Sequence, residues 1–293
     1  MTSSRPARRF DWKNLALRAA SAAVLIPAVV AAVFLPWLAE RQPLVLFPVA
    51  ATLSQALFPV LIAVAIALLS VEWAAMTAPR ASTRVAVALT AAVIVPLMLA
   101  YRHDYLLANI AAVVGIVAAG AVAWTGKASP QDVAFGASYM VWPCLALMWM
   151  RGQPNPISWT LLLFAVTWSA DICAYGVGNL LKGPKLWPRF SPNKTWSGFI
   201  GGMIGAVAAG VAVGYFSTAR LSFAAAGTIG LVGGLATMAG DLWESMLKRR
   251  YGVKDSGDII PGHGGLLDRV DGLMFAVMVF AIARLVVHLG WAH

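Results

Sequence analysis

Long apolar stretches separated by short polar segments dominate this chain of 293 residues. A helix needs about 20 apolar residues to cross the hydrocarbon core of a bilayer, which is about 30 Å thick. Because lipid cannot satisfy backbone polar groups, such stretches are expected to be helical. The pattern predicts an all-α polytopic membrane protein with about nine transmembrane helices. The predicted spans are residues 19–38, 44–76, 84–101, 105–124, 133–150, 157–178, 198–216, 222–240 and 272–290.

The first two stretches differ from the others. Residues 19–38 follow a basic segment, as the apolar part of a signal peptide does, but they are long enough to span and many spans follow. We therefore interpret them as an uncleaved first helix. Residues 44–76 are unusually long and contain Pro48 and Pro59. The sequence leaves open whether they form one span, a broken helix, or a re-entrant piece followed by a span.

The composition supports a membrane protein. Only 12% of the residues are charged and 60% are hydrophobic, whereas soluble domains carry roughly 25% charged residues. The net charge of +10 could suggest nucleic-acid binding. However, the basic residues are spread over many short segments and no recognition motif of that class is present, so we expect no nucleic-acid partner.

The distribution of Lys and Arg predicts the orientation. With a cytoplasmic N-terminus and nine alternating helices, seventeen basic residues fall inside and four outside. This asymmetry is typical of the positive-inside rule. The inside residues are Arg5, Arg8, Arg9, Lys13, Arg18, Arg80, Arg84, Lys127, Lys182, Lys185, Arg189, Lys194, Lys248, Arg249, Arg250, Lys254 and Arg269. The outside residues are Arg41, Arg102, Arg151 and Arg220.

Two polar segments on the predicted cytoplasmic side are longer than the other connections and rich in Gly, Pro, Lys and Asp. Long connections of this kind are usually functional. We therefore divide the chain into N-terminal transmembrane helices, residues 1–150, and a C-terminal catalytic transmembrane region, residues 151–293. The catalytic region contains the two long loops, residues 179–197 and 241–271.

The second long segment combines carboxylates, cations and glycines. If the eighth helix continues past Gly240, then Asp241, Ser245, Lys248 and Arg249 share one face. Carboxylates without a His/Cys cluster suit Mg²⁺, Lys and Arg suit phosphate oxygens, and glycines let backbone amides approach an anion. This segment predicts a metal–polyphosphate site. The alternative is that the segment is only a solvated charged loop. This alternative is weaker for Asp241 and Asp268, because each adjoins an apolar span. The remaining polar positions are Lys254, Asp255, His263, Gly264, Gly265, Arg269 and Asp271.

The first long segment adds a carboxylate and a polar turn. Asp171 lies in or at the end of an apolar helix, where an ionisable residue is expected to be functional; pairing with an arginine for packing is the alternative. Ser191, Lys194 and Thr195 supply hydroxyls and a cation, although the segment contains no P-loop motif.

These motifs resemble the signature of the phosphatidate cytidylyltransferases, also called CDP-diacylglycerol synthases. The matching positions of the second segment are Ser245, Lys248, Arg249, Lys254, Asp255, Gly257, Pro261, His263, Gly264, Gly265, Asp268, Arg269 and Asp271. Those of the first segment are Asp171, Ala174, Tyr175, Ser191, Pro192, Lys194, Thr195, Trp196 and Gly198. Glu72-Trp73 resembles the Glu-Trp pair of the family, whereas Lys182-Gly183 and Ser197 depart from its usual pattern.

The resemblance implies transfer of the cytidylyl group of CTP to phosphatidate at the cytoplasmic face of a bacterial inner membrane. We expect Mg²⁺, with or without a second cation, and membrane lipid as a partner; a homodimer is also compatible. The expected catalytic residues are Asp171, Asp241, Lys248, His263 and Asp268, of which Asp171, Asp241 and Asp268 are the expected metal ligands. The expected substrate-binding residues are Ser191, Lys194, Thr195, Ser245, Arg249, Lys254, Asp255, Gly264, Gly265 and Arg269.

Two other functions remain compatible with the sequence. A related lipid kinase, or a nucleotidyltransferase acting on another lipid phosphate, would use the same groups. An anion transporter would need several ionisable residues near the middle of the membrane and internal repeats. Asp171 is the main candidate of that kind, and no repeat is evident.

Overall fold

The structure, a computed structural model, describes residues 27–35, 48–259 and 264–290. Within these ranges the chain is almost entirely helical, with one short β-hairpin. The helices are α1 (residues 27–35), α2 (Pro48–Thr77), α3 (Ser82–Tyr101), α4 (Tyr105–Thr125), α5 (Pro130–Arg151), α6 (Pro156–Leu181), α7 (Trp196–Phe216), α8 (Phe223–Arg250) and α9 (Leu267–His288). The strands are β1 (Lys185–Trp187) and β2 (Ser191–Thr195), and they pair antiparallel.

Eight helices in the described ranges, α2 to α9, are long and apolar enough to cross a membrane. The predicted all-α integral membrane protein is therefore confirmed. The predicted span at residues 19–38 lies mostly outside the described residues, so the count of nine stays a prediction. The second predicted stretch forms one continuous helix, α2, with Pro59 in its interior. A proline is tolerated there because neighbouring helices in a membrane bundle can satisfy the freed backbone groups.

Side chains fix where several helices begin. The side chains of Asp104, Ser129, Thr195 and Ser222 each accept a hydrogen bond from the backbone amide three residues later, at 3.1–3.3 Å. Such caps satisfy amides that the first turn of a helix leaves without partners. The connections before α4, α5 and α8 are short, whereas the one before α7 contains the hairpin.

The boundaries of the two predicted loops were wrong. Helix α6 continues to Leu181, and the rest of residues 179–197 contains the hairpin. Helix α8 continues to Arg250 and α9 begins at Leu267, so only the part between them is a connection. Lys, Arg and Glu are good helix formers, and a helix can therefore extend from the membrane into water without a change in its backbone.

Two clusters of buried apolar side chains form the core. The first joins α2 to α5, and it also takes in Leu247 from α8 and Leu267 from α9. The second joins α6 to α9 and includes Met150 from α5. Because α8 and α9 contribute to the first cluster, the regions 1–150 and 151–293 share a core within the described residues.

Glycines bring α7 into backbone contact with both of its neighbours. A Cβ atom added at Gly210 would lie 2.7 Å from the Cα of Gly230 in α8. One added at Gly198 would lie 2.7 Å from the backbone oxygen of Ala174 in α6. Real Cβ atoms do not approach so closely, so these positions require glycine. Gly198, Gly210 and Gly230 each precede another glycine by four residues, and this GxxxG spacing serves packing within the chain.

An aromatic cluster lies where α2, α5, α8 and α9 meet. Tyr139 packs against Trp73 and Trp243 with ring centroids 5.7 and 4.8 Å apart, and Trp243 packs against Phe275 at 5.7 Å. The Trp73 indole also donates to the backbone oxygen of Asp132 at 3.0 Å. The cluster holds the end of α2 against the ends of α8 and α9 that carry the polar motifs.

Candidate active site

A cleft of about 920 Å³ opens at the ends of α6 to α9, beside the hairpin. Four carboxylates and four cations line it. They are Asp171, Asp241, Asp268 and Asp271, and Lys182, Lys185, Lys194 and Arg269. Opposite charges gathered in a cleft at a membrane boundary suit a ligand that carries both phosphates and a cation.

The contact between α8 and α9 creates the acidic wall. A Cβ atom on Gly240 would lie 2.5 Å from the backbone oxygen of Asp271, and one on Gly272 would lie 2.8 Å from a side-chain carbon of Thr237. The two helices therefore touch through their backbones. Asp241 and Asp271 each adjoin one of these glycines, and their charges are close enough to interact. Asp171 from α6 interacts with Asp241 across the cleft.

The hairpin supplies a cation to this wall. Lys194 of β2 forms an ion pair with Asp241, and its side chain is 21% exposed. The next residue, Thr195, caps α7 by accepting a hydrogen bond from the Gly198 amide at 3.1 Å. Ser197 accepts a bond from the Gly183 amide at 3.3 Å. The start of α7 thus fixes both ends of the hairpin and the position of Lys194.

Asp268 sits in the first turn of α9 and is held on several sides. One carboxylate oxygen accepts a bond from Lys248 Nζ at 2.6 Å. The other accepts bonds from the backbone amides of Ser256 and Gly265, both at 3.2 Å. Asp268 also interacts with the side chain of Glu244, so neighbours from α8 and from the connection before α9 fix its direction.

Lys248 lies between two carboxylates. Besides Asp268, it pairs with Glu244 one turn earlier in α8, at 2.7 Å. Its side chain is 13% exposed, and it is not among the residues that line the cleft. The sequence predicted that Lys248 shares a face with Asp241 and reaches a phosphate. The structure places it behind Asp268, and direct contact with substrate stays a prediction.

The other predicted residues occupy three kinds of position. Lys194, Thr195 and Arg269 line the cleft. Gly265 directs its amide to Asp268, so this amide is already used. His263 lies outside the described residues. The predicted residues that are not among those lining the cleft are Ser191, Ser245, Arg249, Lys254, Asp255, Gly264 and Gly265.

A second set of contacts ties the end of α8 to the start of α5. Arg250 pairs with Asp132 at 3.1 Å. Burial raises the pKa of the Tyr251 phenol, and its hydrogen bond to Asp132 raises this pKa further. Tyr251 therefore remains a neutral hydrogen-bond donor at physiological pH. These contacts anchor the part of α8 that follows Asp241 and Lys248.

No group of three His, Cys, Asp or Glu side chains in the described ranges is already arranged to hold a metal ion. Mg²⁺ is often bound through one or two carboxylates, with waters and substrate phosphates completing the shell. The oxygen-only side chains of Asp171, Asp241, Asp268 and Asp271 fit that chemistry.

Comparison with known proteins identifies the family. A family model described as the cytidylyltransferase family matches residues 17–287. The chain belongs to the cytidylyltransferase family. The resemblance inferred from the sequence motifs is thereby confirmed, and the matched range includes all four cleft carboxylates.

Individual relatives in the family are similar over part of their length. The phosphatidate cytidylyltransferase of Brucella suis biovar 1 is 49% identical over 144 residues, which are 49% of this chain and 53% of the relative. That of Staphylococcus haemolyticus is 37% identical over 153 residues, 52% of this chain and 59% of the relative. The chain thus spans a little over half the length of the curated relatives it matches.

The predicted site residues did not include three charged residues that line the cleft: Lys182, Lys185 and Asp271. Asp271 had a usable signal, because it follows Asp268 by three residues, a spacing that places both on one side of a helix. Lys182 departs from the family pattern in its local order, so the motif does not select it. Lys185 carries no signal beyond its positive charge.

Proposed function

We propose that this chain is a phosphatidate cytidylyltransferase, which converts CTP and phosphatidate into CDP-diacylglycerol and pyrophosphate. The observation that carries the proposal is the cleft between α6 and α9, where four carboxylates face four cations at one end of a membrane bundle. Membership of the cytidylyltransferase family supports it, as does the activity for which the similar relatives are named.

The proposed reaction needs little acid–base chemistry. A phosphate oxygen of phosphatidate attacks the α-phosphorus of CTP, the bond from that phosphorus to the oxygen bridging the α- and β-phosphates breaks, and pyrophosphate leaves with the electron pair. The second pKa of a phosphate monoester is about 6, so the attacking group is already an anion near pH 7. The protein must instead neutralise charge and align the two phosphates.

The cations on the cleft wall are placed for this task. Lys182, Lys185 and Lys194 come from the hairpin side and Arg269 from α9, so they surround a polyphosphate from two directions. Lys194 can exchange Asp241 for a phosphate oxygen, which leaves the Asp241 carboxylate free for another ligand. In this exchange the Lys194 ammonium group only changes its partner within the cleft, so the protein does not have to bury an additional charged side chain.

Mg²⁺ is part of the proposal. Asp241 and Asp268 would hold it, with Asp171 and Asp271 close by, and it would neutralise the developing charge on the departing pyrophosphate. Asp268 lines the cleft, and its bonds to Lys248 and the two amides keep its direction fixed.

The proposed location of the cleft is the cytoplasmic face of a bacterial inner membrane. The charge asymmetry of the sequence supports this orientation. The end of α2, the hairpin, the end of α8 and the start of α9 all lie on the side that this asymmetry assigns to the cytoplasm. CTP is a cytoplasmic solute, and phosphatidate lies in the bilayer, so a cleft at this boundary can meet both.

The test uses purified protein in detergent or vesicles with phosphatidate, Mg²⁺ and CTP labelled at either the α- or the γ-phosphate. We expect the α label to enter the organic phase with the lipid and the γ label to appear in pyrophosphate. A lipid kinase would place the γ label on lipid, and a transporter would place neither label there. Either result would refute the proposal.

A further inference from the structure

A buried carboxylate from α2 caps the first turn of α9. Glu72 is 2% exposed. Its Oε1 accepts a hydrogen bond from the Leu266 amide at 2.7 Å, and its Oε2 accepts one from the Leu267 amide at 2.8 Å. These amides belong to the start of a helix, where backbone donors lack partners within the helix. A negative charge there is also stabilised by the helix dipole.

The connection before α9 closes around the same carboxylate. The Ser256 hydroxyl donates to Glu72 Oε2 at 3.2 Å. A Cβ atom on Gly265 would lie 1.9 Å from the Ser256 hydroxyl oxygen, and one on Gly257 would lie 3.1 Å from the Glu72 side chain. The sequence predicted that Gly265 lets a backbone approach a substrate anion. In the structure Gly257 and Gly265 let the backbone approach an anion of the protein itself.

Glu72 and Asp268 hold the same two short pieces of backbone. The Ser256 amide donates to Asp268, while its hydroxyl donates to Glu72. The Gly265 amide donates to Asp268, and the next two amides donate to Glu72. A displacement at Glu72 would therefore move both backbone donors that fix the direction of the Asp268 carboxylate.

Glu72 is neither half of an ion pair nor part of the cleft wall. Within the described residues it forms no salt bridge, so its charge is balanced by hydrogen-bond donors instead of a cation. It is also not among the residues that line the cleft, so it does not touch the ligand directly. Its bonds all lead to the segment that carries Asp268.

We propose that Glu72 is a positioning residue for the transfer reaction: it fixes the start of α9 and thereby aims Asp268 into the cleft. This inference rests on the proposed function. It assigns a role to the end of α2, which lies nearly two hundred residues from α9 in the sequence.

The test is Glu72→Gln in the full-length protein. Glutamine keeps the size but offers one acceptor oxygen, and its amide group faces backbone donors. Losing hydrogen bonds to a charged group should speed hydrogen–deuterium exchange of a peptide covering residues 264–270 by about tenfold or more. We also expect kcat to fall by about tenfold or more. The Mg²⁺ concentration that gives half-maximal rate should rise several-fold.

The matched control is Asp104→Asn, which alters the cap of α4 at the opposite end of the bundle and should change neither exchange at residues 264–270 nor the Mg²⁺ dependence. A Glu72→Gln variant with wild-type exchange, or with unchanged kcat and Mg²⁺ dependence, would overturn the inference. So would a loss of kcat with unchanged Mg²⁺ dependence, because that result reports only a smaller folded fraction.

If Glu72→Gln does not fold, the same measurements are made on Glu72→Asp. Aspartate keeps the negative charge, but its shorter side chain cannot reach the Leu266 and Leu267 amides in the same way. A wild-type protein that is inactive toward CTP and phosphatidate would refute the proposed function alone. In that case the exchange measurement still decides whether Glu72 holds the turn that carries Asp268.

Discussion

Replacing Lys248 by methionine should lower the free energy of unfolding more than any other single change at the site. Lys248 lies between Glu244 and Asp268, at 2.7 and 2.6 Å, and the side chains of these two carboxylates are 1% and 11% exposed. Without the lysine, two adjacent carboxylates remain in a nearly dry environment. Removing one partner of a buried ion pair costs about 3–5 kcal/mol, which is a change of roughly two to four orders of magnitude in the folding equilibrium.

A double variant separates charge balance from chemistry. Lys248 is the cation between two acids, Glu244 and Asp268, and Lys248→Met leaves these two acids facing each other. Adding Glu244→Gln removes one of the two acids and keeps the size of its side chain. We therefore expect the double variant to be more stable than Lys248→Met alone, since the coupling between contacting residues is commonly about 0.5–3 kcal/mol, against a loss of about 3–5 kcal/mol. Cytidylyl transfer should stay at least about tenfold below wild type, because Asp268 still lacks its lysine.

The measurement is an unfolding titration with SDS in mixed micelles, followed by the fluorescence of the tryptophans, beside an activity assay on the same preparations. Glu244→Gln alone completes the cycle. If Lys248→Met unfolds at the wild-type SDS concentration, the lysine does not neutralise these carboxylates. If the two single losses simply add in the double variant, the three side chains do not act as one cluster. Either result would refute the reasoning.

Three further changes test other parts of the structure. In a background without Cys144 and Cys173, cysteines replacing Arg189 and Lys254 should resist a membrane-impermeant thiol reagent in intact cells, whereas one replacing Arg220 should react; the opposite pattern would invert the orientation. Gly240→Ala would place a Cβ atom 2.5 Å from the backbone oxygen of Asp271 and should cost about 1–3 kcal/mol in an unfolding titration, whereas Gly227→Ala, with its nearest neighbour at 3.7 Å, should be neutral. Asp241→Asn should leave the fold intact and reduce Mg²⁺-dependent transfer more than about tenfold; near wild-type activity would exclude Asp241 as a metal ligand.

The spans and the main acidic residues could be predicted from the sequence because they depend on local signals. An apolar run of fixed length predicts a membrane helix wherever it occurs. A carboxylate beside such a run is costly without a function, and this reasoning selects Asp171, Asp241 and Asp268, which the structure brings together in one cleft. The prediction of α2 remained open because Pro59 breaks helices in water, whereas a membrane bundle tolerates it.

What could not be predicted depends on contacts between distant segments. Lys248 shares the spacing of Asp241 along α8, but whether it faces a ligand or another side chain depends on where α9 packs. The same holds for Gly265, whose amide could serve a substrate anion or Asp268. Glu72 gave a signal only through its resemblance to a family motif, since no local pattern connects it with residues 266 and 267.

The cap that Glu72 provides also sets an order of events during synthesis. Leu266 follows Glu72 by 194 residues, and ribosomes add about 5–20 residues per second, so the carboxylate waits roughly 10–40 s for its partners. Throughout that time the end of α2 carries a charge for which the nascent chain does not yet contain the amides. A chain that stops before α9 keeps this carboxylate without its backbone donors. The acid at the end of α2 therefore cannot be buried with its donors before α9 has been made, because a buried acceptor without a donor is costly.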